Sequence, residues 1–180
     1  MMGADLVVLI DADARPVGTA VRGDVHTDRT PLHLAFSCYL RDGAGRILLT
    51  RRALGKRSWP GVWTNSFCGH PRPDEDLEGA VHRYAGHELG TSVKEVRCVL
   101  PSFRYRAVDP SGIVENELSP VFVATIADDL RPNPDEVMDL EWVPADELRS
   151  LVTLAPWTVS PWLVDQVVDL ERHRLWETLS

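Results

Sequence analysis

The sequence predicts one α+β domain over residues 1–180, with several mostly antiparallel strands and helices packed on the sheet. Three observations lead to this fold class. Apolar runs separated by glycine, proline and aspartate turns follow one another along most of the chain, as in strand hairpins. Two stretches instead show helical spacing of their apolar residues. A chain of 180 residues can fill one core well and is short for two domains.

The first half of the chain is interpreted as strands joined by tight turns. LVVLIDADARPVGTAVRG predicts two strands about a turn at residues 13–16. LHLAFSCYL and ILLTRRA predict a hairpin, in which Gly43 and Gly45 adopt turn conformations that other residues resist.

The second half adds the helices. Apolar residues at positions 77, 80, 81, 84 and 85 predict a helix within residues 74–90, which Gly90 ends in the C′ position. VRCVLPSFRYRAV and IVENELSPVFVATIA flank the turn DPSG and predict a second hairpin. LEWV predicts a last strand and PADELRSLV a short helix. The closing SPWLVDQVVDLERHRLWETL predicts a helix with Ser160 as N-cap and Pro161 in its first position.

Composition narrows the class of protein. With 19 basic and 27 acidic side chains, the formal net charge of −8 argues against a nucleic-acid partner. The N-terminal apolar run of five residues is too short for a signal peptide or a membrane span, so we expect a cytoplasmic protein without a membrane partner. Three widely spaced cysteines indicate reduced thiols. The sequence is compatible with a monomer or a homodimer.

The segment TNSFCGHP, residues 64–71, places Cys68 and His70 two positions apart. If it is extended, the alternation of side chains along a strand sends both to the same face, where they would share one pocket. A cysteine there could be a ligand, a nucleophile, an acid or only a small core residue, since free cysteines are often buried and inert.

A second pair with this spacing is Glu115 and Glu117, on the predicted strand IVENEL. A solvated acidic strand face is one interpretation. The apolar flanks favour a covered strand instead, where two neighbouring carboxylates need a cation or a shared proton. Three histidines could join them in one group of mixed nitrogen and oxygen donors, which suits Zn²⁺, Mn²⁺ or Fe²⁺. They are His26, His33 and His70, and their spacing matches no compact zinc motif. His82, His87 and His173 are interpreted as surface residues on helices.

Four basic residues lie within seven positions of an otherwise acidic chain, in TRRALGKRSWPG. They are Arg51, Arg52, Lys56 and Arg57. They are either a solvated basic face or a phosphate clamp, in which arginine offers a bidentate fork and lysine a point charge. The tryptophan, proline and glycine that follow favour a structured loop.

Part of the Nudix box, G-x5-E-x7-R-E-U-x-E-E-x-G-U, is present as Gly69, Glu75 and Arg83. Tyr84 stands in place of the next glutamate, and only Glu88 and Gly90 remain beyond it. The pattern predicts a Nudix-like scaffold that has lost most of the carboxylates needed for hydrolysis.

Four segments together resemble type I isopentenyl-diphosphate isomerases, which are Nudix-fold enzymes: HLAFS, TRRALGKRSWPGVWTNSFCGHP, FRYRAVDPSGIVENE and SPW. The resemblance extends from about residue 6 to the C-terminal helix, and CGHP and ENE are specific in combination. It implies a Nudix-like mixed sheet and the interconversion of isopentenyl and dimethylallyl diphosphate by proton movement across an allylic system. It also implies that the partner is a small-molecule diphosphate.

The resemblance further implies a role for each matching residue. Cys68 and Glu117 would be the acid/base pair. One Mn²⁺ or Zn²⁺ would be held by His26, His33, His70, Glu115 and Glu117, while Glu88 would take Mg²⁺ bound to the diphosphate. The substrate would be bound by Arg22, Arg52, Lys56, Arg83, Tyr105 and Trp162. Arg22 stands where some members have lysine, and Tyr84 where a second arginine can follow Arg83.

Two other functions remain open from the residues alone. A Nudix pyrophosphohydrolase would need more carboxylates than the eroded box retains. A diphosphate-binding module without catalysis would need the basic run but neither Cys68 nor Glu117. Protonating an unactivated alkene creates a tertiary carbocation, which requires an acid, dry surroundings and an electron-rich wall that Trp162 could supply.

Overall fold

The computed structural model describes residues 5–179 of the chain. Its elements follow one another as β1 (Leu6–Ile10), β2 (Pro16–Val21), α1 (Arg22–Val25), β3 (His33–Leu34), β4 (Phe36–Arg41), β5 (Ile47–Arg52), β6 (Trp63–Thr64), β7 (Phe67–Gly69), α2 (Leu77–Leu89), β8 (Val93–Leu100), β9 (Arg104–Val108), β10 (Val114–Leu118), β11 (Val121–Ile126), β12 (Val137–Val143), α3 (Ala145–Leu154) and α4 (Pro161–Arg172), with 3₁₀ turns at Pro156–Thr158 and Trp176–Thr178.

The strands form two sheets. The five-stranded sheet has the order β2-β1-β3-β10-β9. The seven-stranded sheet has the order β12-β5-β4-β11-β8, with β6 paired to β5 and β7 to β4. Two neighbouring pairs are parallel, β3 with β10 and β4 with β11, and the other pairs of named strands are antiparallel. The predicted α+β class with a mostly antiparallel sheet is therefore confirmed. The assignment of residues 1–180 to one domain stays a prediction.

The two predicted hairpins are present, but both are divided. Strands β4 and β5 meet at Arg41 and Ile47 and then separate, so that β6 and β7 fit between them. Gly45 has a positive φ of 75°, as its predicted turn role requires, whereas Gly43 does not, so that prediction was wrong for Gly43. The Asp42 carboxylate accepts from the backbone of Ala44 and Arg46 and closes the turn instead.

The arms of the second hairpin pass from one sheet to the other. Next to the DPSG turn, β9 and β10 belong to the five-stranded sheet; farther out, β8 and β11 belong to the seven-stranded sheet. Pro101 lies in the break of one arm and Pro120 in that of the other. Because proline has no N–H to donate to a ladder, each break is a position where a strand can change sheets.

Helices cover both faces of the seven-stranded sheet. Along β4, Tyr39 packs with the α3 and α4 side of the core, whereas Cys38 and Leu40 pack with the α2 side. This alternation places apolar side chains on both faces of one strand, as expected for a strand covered twice. The three cysteines are free thiols, as predicted.

The helix ends follow the predicted capping signals. Gly90 ends α2 in the left-handed conformation with φ 59°, as predicted, and the Asp76 side chain adds an N-cap that was not predicted, accepting from Gly79. Ser160 caps α4 by accepting from Leu163, with Pro161 in the first turn. The C-terminal helix is shorter than predicted: it ends at Arg172, and Arg174 takes a φ of 56° that an α-helix does not allow. Among the described residues, no helix is long and apolar enough to cross a bilayer.

Candidate active site

A cavity of about 490 Å³ is lined by residues from both sheets and from α1, α2 and α4. All predicted site residues line it except Arg83 and His33, and His33 is fully buried next to His26, His70 and Glu117. The lining consists of Asp5, Val21, Arg22, Gly23, His26, Arg52, Gly55, Lys56, Arg57, Ser58, Cys68, Gly69, His70, Tyr84, Glu88, Tyr105, Glu115, Glu117, Asp135, Glu136 and Trp162.

Cys68 enters the cavity from β7. This strand runs antiparallel to β4 and places Cys68 opposite Ser37. The Cys68 thiol donates to Asn65 Oδ1 at 3.3 Å and lies 3.4 Å from Ser37 Oγ. Burial raises the pKa of this thiol to about 12, although the hydrogen bonds of Ser37 and Asn65 act in the opposite direction. The thiol is therefore protonated at neutral pH. His70 also lines the cavity, so the shared face that alternation predicted is present.

Glu117 lies in β10, which is flanked in the sheet by β9, its neighbour in sequence, and by β3, from the first part of the chain. It is paired with Tyr105 of antiparallel β9 and with His33 of parallel β3. The Tyr105 hydroxyl donates to Glu117 Oε2 at 2.9 Å. The other carboxylate oxygen, Oε1, lies 3.4 Å from His33 Nε2 and 3.2 Å from His70 Nε2. One carboxylate thus bridges a phenol and two imidazoles.

Four side chains converge with ligand atoms that all lie within 4.8 Å of one another: His26, His33, His70 and Glu117. The His26 Nε2 atom lies 3.0 Å from Glu115 Oε2, so Glu115 adjoins the group without belonging to it. The opposite oxygen of Glu115 accepts from the Ser58 hydroxyl. Glu115 and Glu117 therefore face the same side, as their spacing predicted, and Asn116 donates to Thr30 O elsewhere.

The donor atoms of this group fit a divalent cation. The Nδ1 of His33 lies 2.9 Å from Pro31 O, an acceptor that fixes the proton on Nδ1 and turns the Nε2 lone pair towards the group. That Nε2 faces the Nε2 of His70 at 3.1 Å, where only one proton could stand between them. The buried Nε2 of His26 makes no hydrogen bond of normal geometry. Lone pairs that converge in this way suit an ion of borderline softness.

The charges of the group stabilise one another. Burial disfavours the charged form of Glu117, but the neighbouring imidazoles of His26, His33 and His70 hold the pKa of this carboxyl well below its usual range. Burial likewise opposes protonation of His26, yet the carboxylates of Glu115 and Glu117 raise the pKa of that imidazole to about 9. The carboxylate is therefore ionised, and positive charge is favoured beside it.

Four basic side chains line the cavity, and two of them, Arg22 and Lys56, define a basic end beside Glu88 and Glu136. Arg52 donates to Ser58 O at 2.9 Å, and its guanidinium lies 5.8 Å from the centre of the Trp162 ring. Arg22 pairs with Asp5 at 3.1 Å. Lys56 and Arg57 belong to the same basic run as Arg52, so part of that run is a cavity wall rather than a solvated face.

Lys56 stands between two carboxylates at the cavity. Its ammonium contacts the Glu136 carboxylate and lies 3.8 Å from Glu88 Oε1. Burial raises the pKa of the Glu88 carboxyl. The positive charge of Lys56 acts against this increase, and the negative charge of Glu136 adds to it. A cation shared in this way can exchange these partners for an anionic ligand.

Aromatic rings form the remaining wall. Trp162 is buried, and its ring lies 5.5 Å from that of Tyr105 and 5.8 Å from that of Trp59, measured between centroids. Tyr105 and Trp162 line the cavity where the resemblance placed them, beside Cys68 and Glu117.

Arg83 lies outside the cavity lining. Its guanidinium forms two hydrogen bonds to the Glu75 carboxylate, at 2.7 and 2.6 Å, and a third to His70 O at 3.0 Å. The Nudix-box pair Glu75 and Arg83 thus connects α2 to His70, directly after β7. A role of Arg83 in substrate binding stays a prediction. His82 and His87 are exposed on α2 and His173 is exposed at the end of α4, as predicted.

Sequence reasoning missed several polar residues of the cavity and its immediate surroundings. Glu136 and Asp135 stand in a segment interpreted only as a loop, RPNPDE, although an acidic pair directly before a strand was a usable signal. Ser58 and Asn65 carry no charge and no metal-ligand chemistry, so nothing in the sequence distinguished them from ordinary turn residues.

Gly69, between Cys68 and His70, leaves room for the ring of Tyr84. A Cβ added at Gly69 would lie 2.5 Å from the Tyr84 ring, which is itself 1% exposed and packs edge-on against Phe36. The Tyr84 ring therefore lies directly against the backbone between the residues that carry the thiol and the imidazole.

We expect Gly69→Ala to lower the free energy of unfolding by about 1–3 kcal/mol, because a buried ring must shift to admit the methyl group. Chemical denaturation of the variant measures this. Gly86→Ala is the matched control: a Cβ there meets nothing within 4 Å, and the substitution favours α2. Equal stability of the two variants would contradict the close contact of Gly69 with Tyr84.

Comparison with known proteins adds relatives at high identity. A profile described as the NUDIX domain matches residues 31–163. A protein of Leifsonia xyli subsp. xyli (strain CTCB07) named isopentenyl-diphosphate Delta-isomerase is 58% identical over 163 residues, which cover 89% of this chain and 88% of that protein. One of the same name from Clavibacter michiganensis subsp. michiganensis (strain NCPPB 382) is 56% identical over 163 residues, covering 91% and 84%.

Solved structures agree on the fold. The crystal structure of DR0079 from Deinococcus radiodurans superposes with a TM-score of 0.68 at 19% identity, covering 91% of this chain and 98% of that one. A MutT protein from Methanosarcina mazei Go1 superposes with a TM-score of 0.61 at 19% identity, covering 80% and 96%. At this identity the likeness concerns the arrangement of strands and helices.

Proposed function

The chain belongs to the isopentenyl-diphosphate Delta-isomerases, a family with the NUDIX domain, and we propose that Cys68 and Glu117 move the two protons of its reaction. The enzyme converts isopentenyl diphosphate into dimethylallyl diphosphate. The observation that carries the assignment of roles is the position of one protonated thiol and one ionised carboxylate in the same cavity, beside an aromatic wall.

The diphosphate would be held at the basic end of the cavity. Arg22, Arg52 and Lys56 offer charge-assisted hydrogen bonds to its oxygens, and Lys56 would exchange a carboxylate partner for phosphate. This anchor places the alkene at the other end, between Cys68, Glu117 and Trp162. Binding energy from the diphosphate would thus be used to position a distant double bond.

Two proton transfers complete the reaction. The S–H bond of Cys68 breaks as a C–H bond forms at the terminal alkene carbon, which leaves a tertiary cation at the branched carbon. A C–H bond of the allylic carbon then breaks, its electron pair forms the new double bond, and the proton passes to the Glu117 carboxylate. The rings of Trp162 and Tyr105 present π electrons to the cation between the two steps. Exchange with solvent restores the thiol and the carboxylate.

Bound metal ions would act through their charge and would not take part in the two proton transfers themselves. His26, His33, His70 and Glu117 would hold one Mn²⁺ or Zn²⁺ with Glu115 beside them, and Glu88 would hold Mg²⁺. When bound, the first ion tunes the basicity of Glu117 and the second neutralises the diphosphate. We further propose that the enzyme works in the cytoplasm as a monomer or a homodimer, without nucleic acid or membrane as a partner.

One experiment tests the reaction directly. The protein is incubated with isopentenyl diphosphate and Mg²⁺ in D₂O, deuterium in carbon is followed by NMR, and phosphate is followed by colorimetry. We expect deuterium in the new methyl group, later also in the allylic position through the reverse reaction, and no phosphate. Chelation of the histidine-bound ion should stop the exchange.

The two competing functions predict different results in the same experiment. A pyrophosphohydrolase releases phosphate without carbon-bound deuterium, because its chemistry takes place at phosphorus. A binding module gives neither product, although ligand would still raise its melting temperature through mass action. Phosphate release from metal-replete protein at a rate matching any exchange would refute the proposed chemistry.

A further inference from the structure

Asn65 has a side-chain amide whose orientation is fixed. The residue is fully buried in the turn between β6 and β7. Its NH₂ group donates to two backbone carbonyls, Cys38 O at 3.1 Å and Phe67 O at 2.9 Å. Since those partners are acceptors only, the amide oxygen must point the other way.

The Asn65 oxygen accepts from three donors at once. The Cys68 thiol donates to it at 3.3 Å, the Trp162 indole N–H at 3.1 Å and the Thr64 hydroxyl at 2.9 Å. Trp162 lies 97 positions away in the sequence, in α4. The thiol of the cavity and its aromatic wall therefore meet on a single atom that does not itself line the cavity.

A second chain of hydrogen bonds joins the thiol to the same helix. Gln166, one turn after Trp162, donates to Ser37 Oγ at 2.8 Å, and Ser37 Oγ lies 3.4 Å from Cys68 Sγ. The Tyr39 hydroxyl donates to Gln166 Oε1 at 2.8 Å and fixes that amide in turn. The position of Sγ is thus set from two sides, with α4 contributing to both.

We propose that Asn65 is a positioning residue of the isomerase, which holds the Cys68 thiol and the Trp162 ring at a fixed separation beside the alkene. This inference rests on the proposed function, in which the thiol delivers a proton and the ring faces the resulting cation. The separation matters because both groups must lie within contact of adjacent carbon atoms of one substrate. Asn65 touches neither substrate nor reacting atoms other than the thiol that it orients.

Asn65→Ala tests the proposal, with Ser66→Ala as the matched control. Ser66 is the next residue, equally buried, and its hydroxyl accepts from Leu40 N and donates to Leu48 O, away from the cavity. Each variant loses buried hydrogen bonds made by the turn between β6 and β7, so the free energy of unfolding should fall in both. We expect Asn65→Ala alone to lose turnover, by about 10- to 100-fold, because a misplaced reacting group is costly. KM should change little, since the diphosphate contacts remain.

A spectroscopic signal separates positioning from general damage. In protein labelled with nitrogen-15, the indole N–H resonance of Trp162, assigned by its loss in Trp162→Phe, should move and exchange faster with solvent in Asn65→Ala. It should stay in place in Ser66→Ala. Equal losses of turnover in the two variants, or an unmoved indole resonance in Asn65→Ala, would overturn the proposal.

Asn65→Asp keeps the test decisive if the alanine variant does not fold. Its carboxyl has the same shape, and an oxygen can still accept from thiol and indole. Turnover and the Trp162 resonance must then be retained together or lost together; either one changing alone overturns the inference. If wild-type protein itself fails to incorporate deuterium, the proposed function fails, whereas a wild-type result with unchanged variants refutes only the role of Asn65.

Discussion

Replacing Cys68 by alanine should reduce isomerisation by about 10²- to 10⁴-fold or more, because one of the two proton-transferring groups is removed. The fold and the metal content should remain nearly intact. The thiol makes only two weak hydrogen bonds, one to Asn65 Oδ1 and one shared with the Ser37 hydroxyl. A single sulfur atom also contributes little more to packing than a methyl group does. Turnover, melting temperature and bound metal of the purified variant measure these three expectations.

Cys38→Ala provides the control for that substitution. Cys38 is completely buried on the α2 side of the core and does not line the cavity. Its removal should cost stability while leaving turnover close to that of the wild type. Turnover like that of the wild type in Cys68→Ala would remove the thiol from the mechanism.

Glu117→Gln is the substitution with the second largest expected effect, the joint loss of activity and bound metal. Glu117 contributes an ionised oxygen to the group of His26, His33 and His70 and also accepts from Tyr105. A neutral amide in its place offers neither the charge nor the basicity that the ion and the proton transfer require. Elemental analysis of purified protein and the deuterium assay measure the two losses.

Glu88→Gln should behave differently. Glu88 belongs to the basic end of the cavity beside Lys56 and is not a member of the histidine group. We expect this variant to keep the ion at the histidines and mainly to weaken the binding of Mg²⁺ and diphosphate. Its rate should recover in part when Mg²⁺ is raised. Equal loss of metal from both variants would mean that the protein has one metal site and not two.

Features set by local spacing could be predicted from the sequence. Alternation along a strand correctly placed Cys68 with His70 and Glu115 with Glu117, because two residues on one strand face depend on no other part of the chain. The capping residues Asp76 and Ser160 act within one turn of their helices, and Ser160 was identifiable for that reason.

Features that depend on distant pairing could not be predicted in this way. The parallel pairing of β3 with β10, which brings His33 to Glu117, leaves no pattern in either strand. The insertion of β6 and β7 between the arms of the first hairpin, and the passage of the second hairpin from one sheet to the other, both depend on how distant segments pack, although prolines mark where the second changes sheets. Asn65 illustrates the same point for the site, since its importance lies in a bond to a residue 97 positions away.

The scattered origin of the histidine group has a consequence for how the protein is made. His33 and His70 are 37 positions apart, and His70 and Glu117 a further 47, so the group belongs to no locally folding unit. During synthesis the imidazoles leave the ribosome well before the carboxylate that joins them, and closing such long loops is slow. The ion can be captured at full affinity only once both sheets have assembled. An ion bound there would stabilise the native state alone, so we expect metal supply to affect how much of the newly made chain escapes proteolysis.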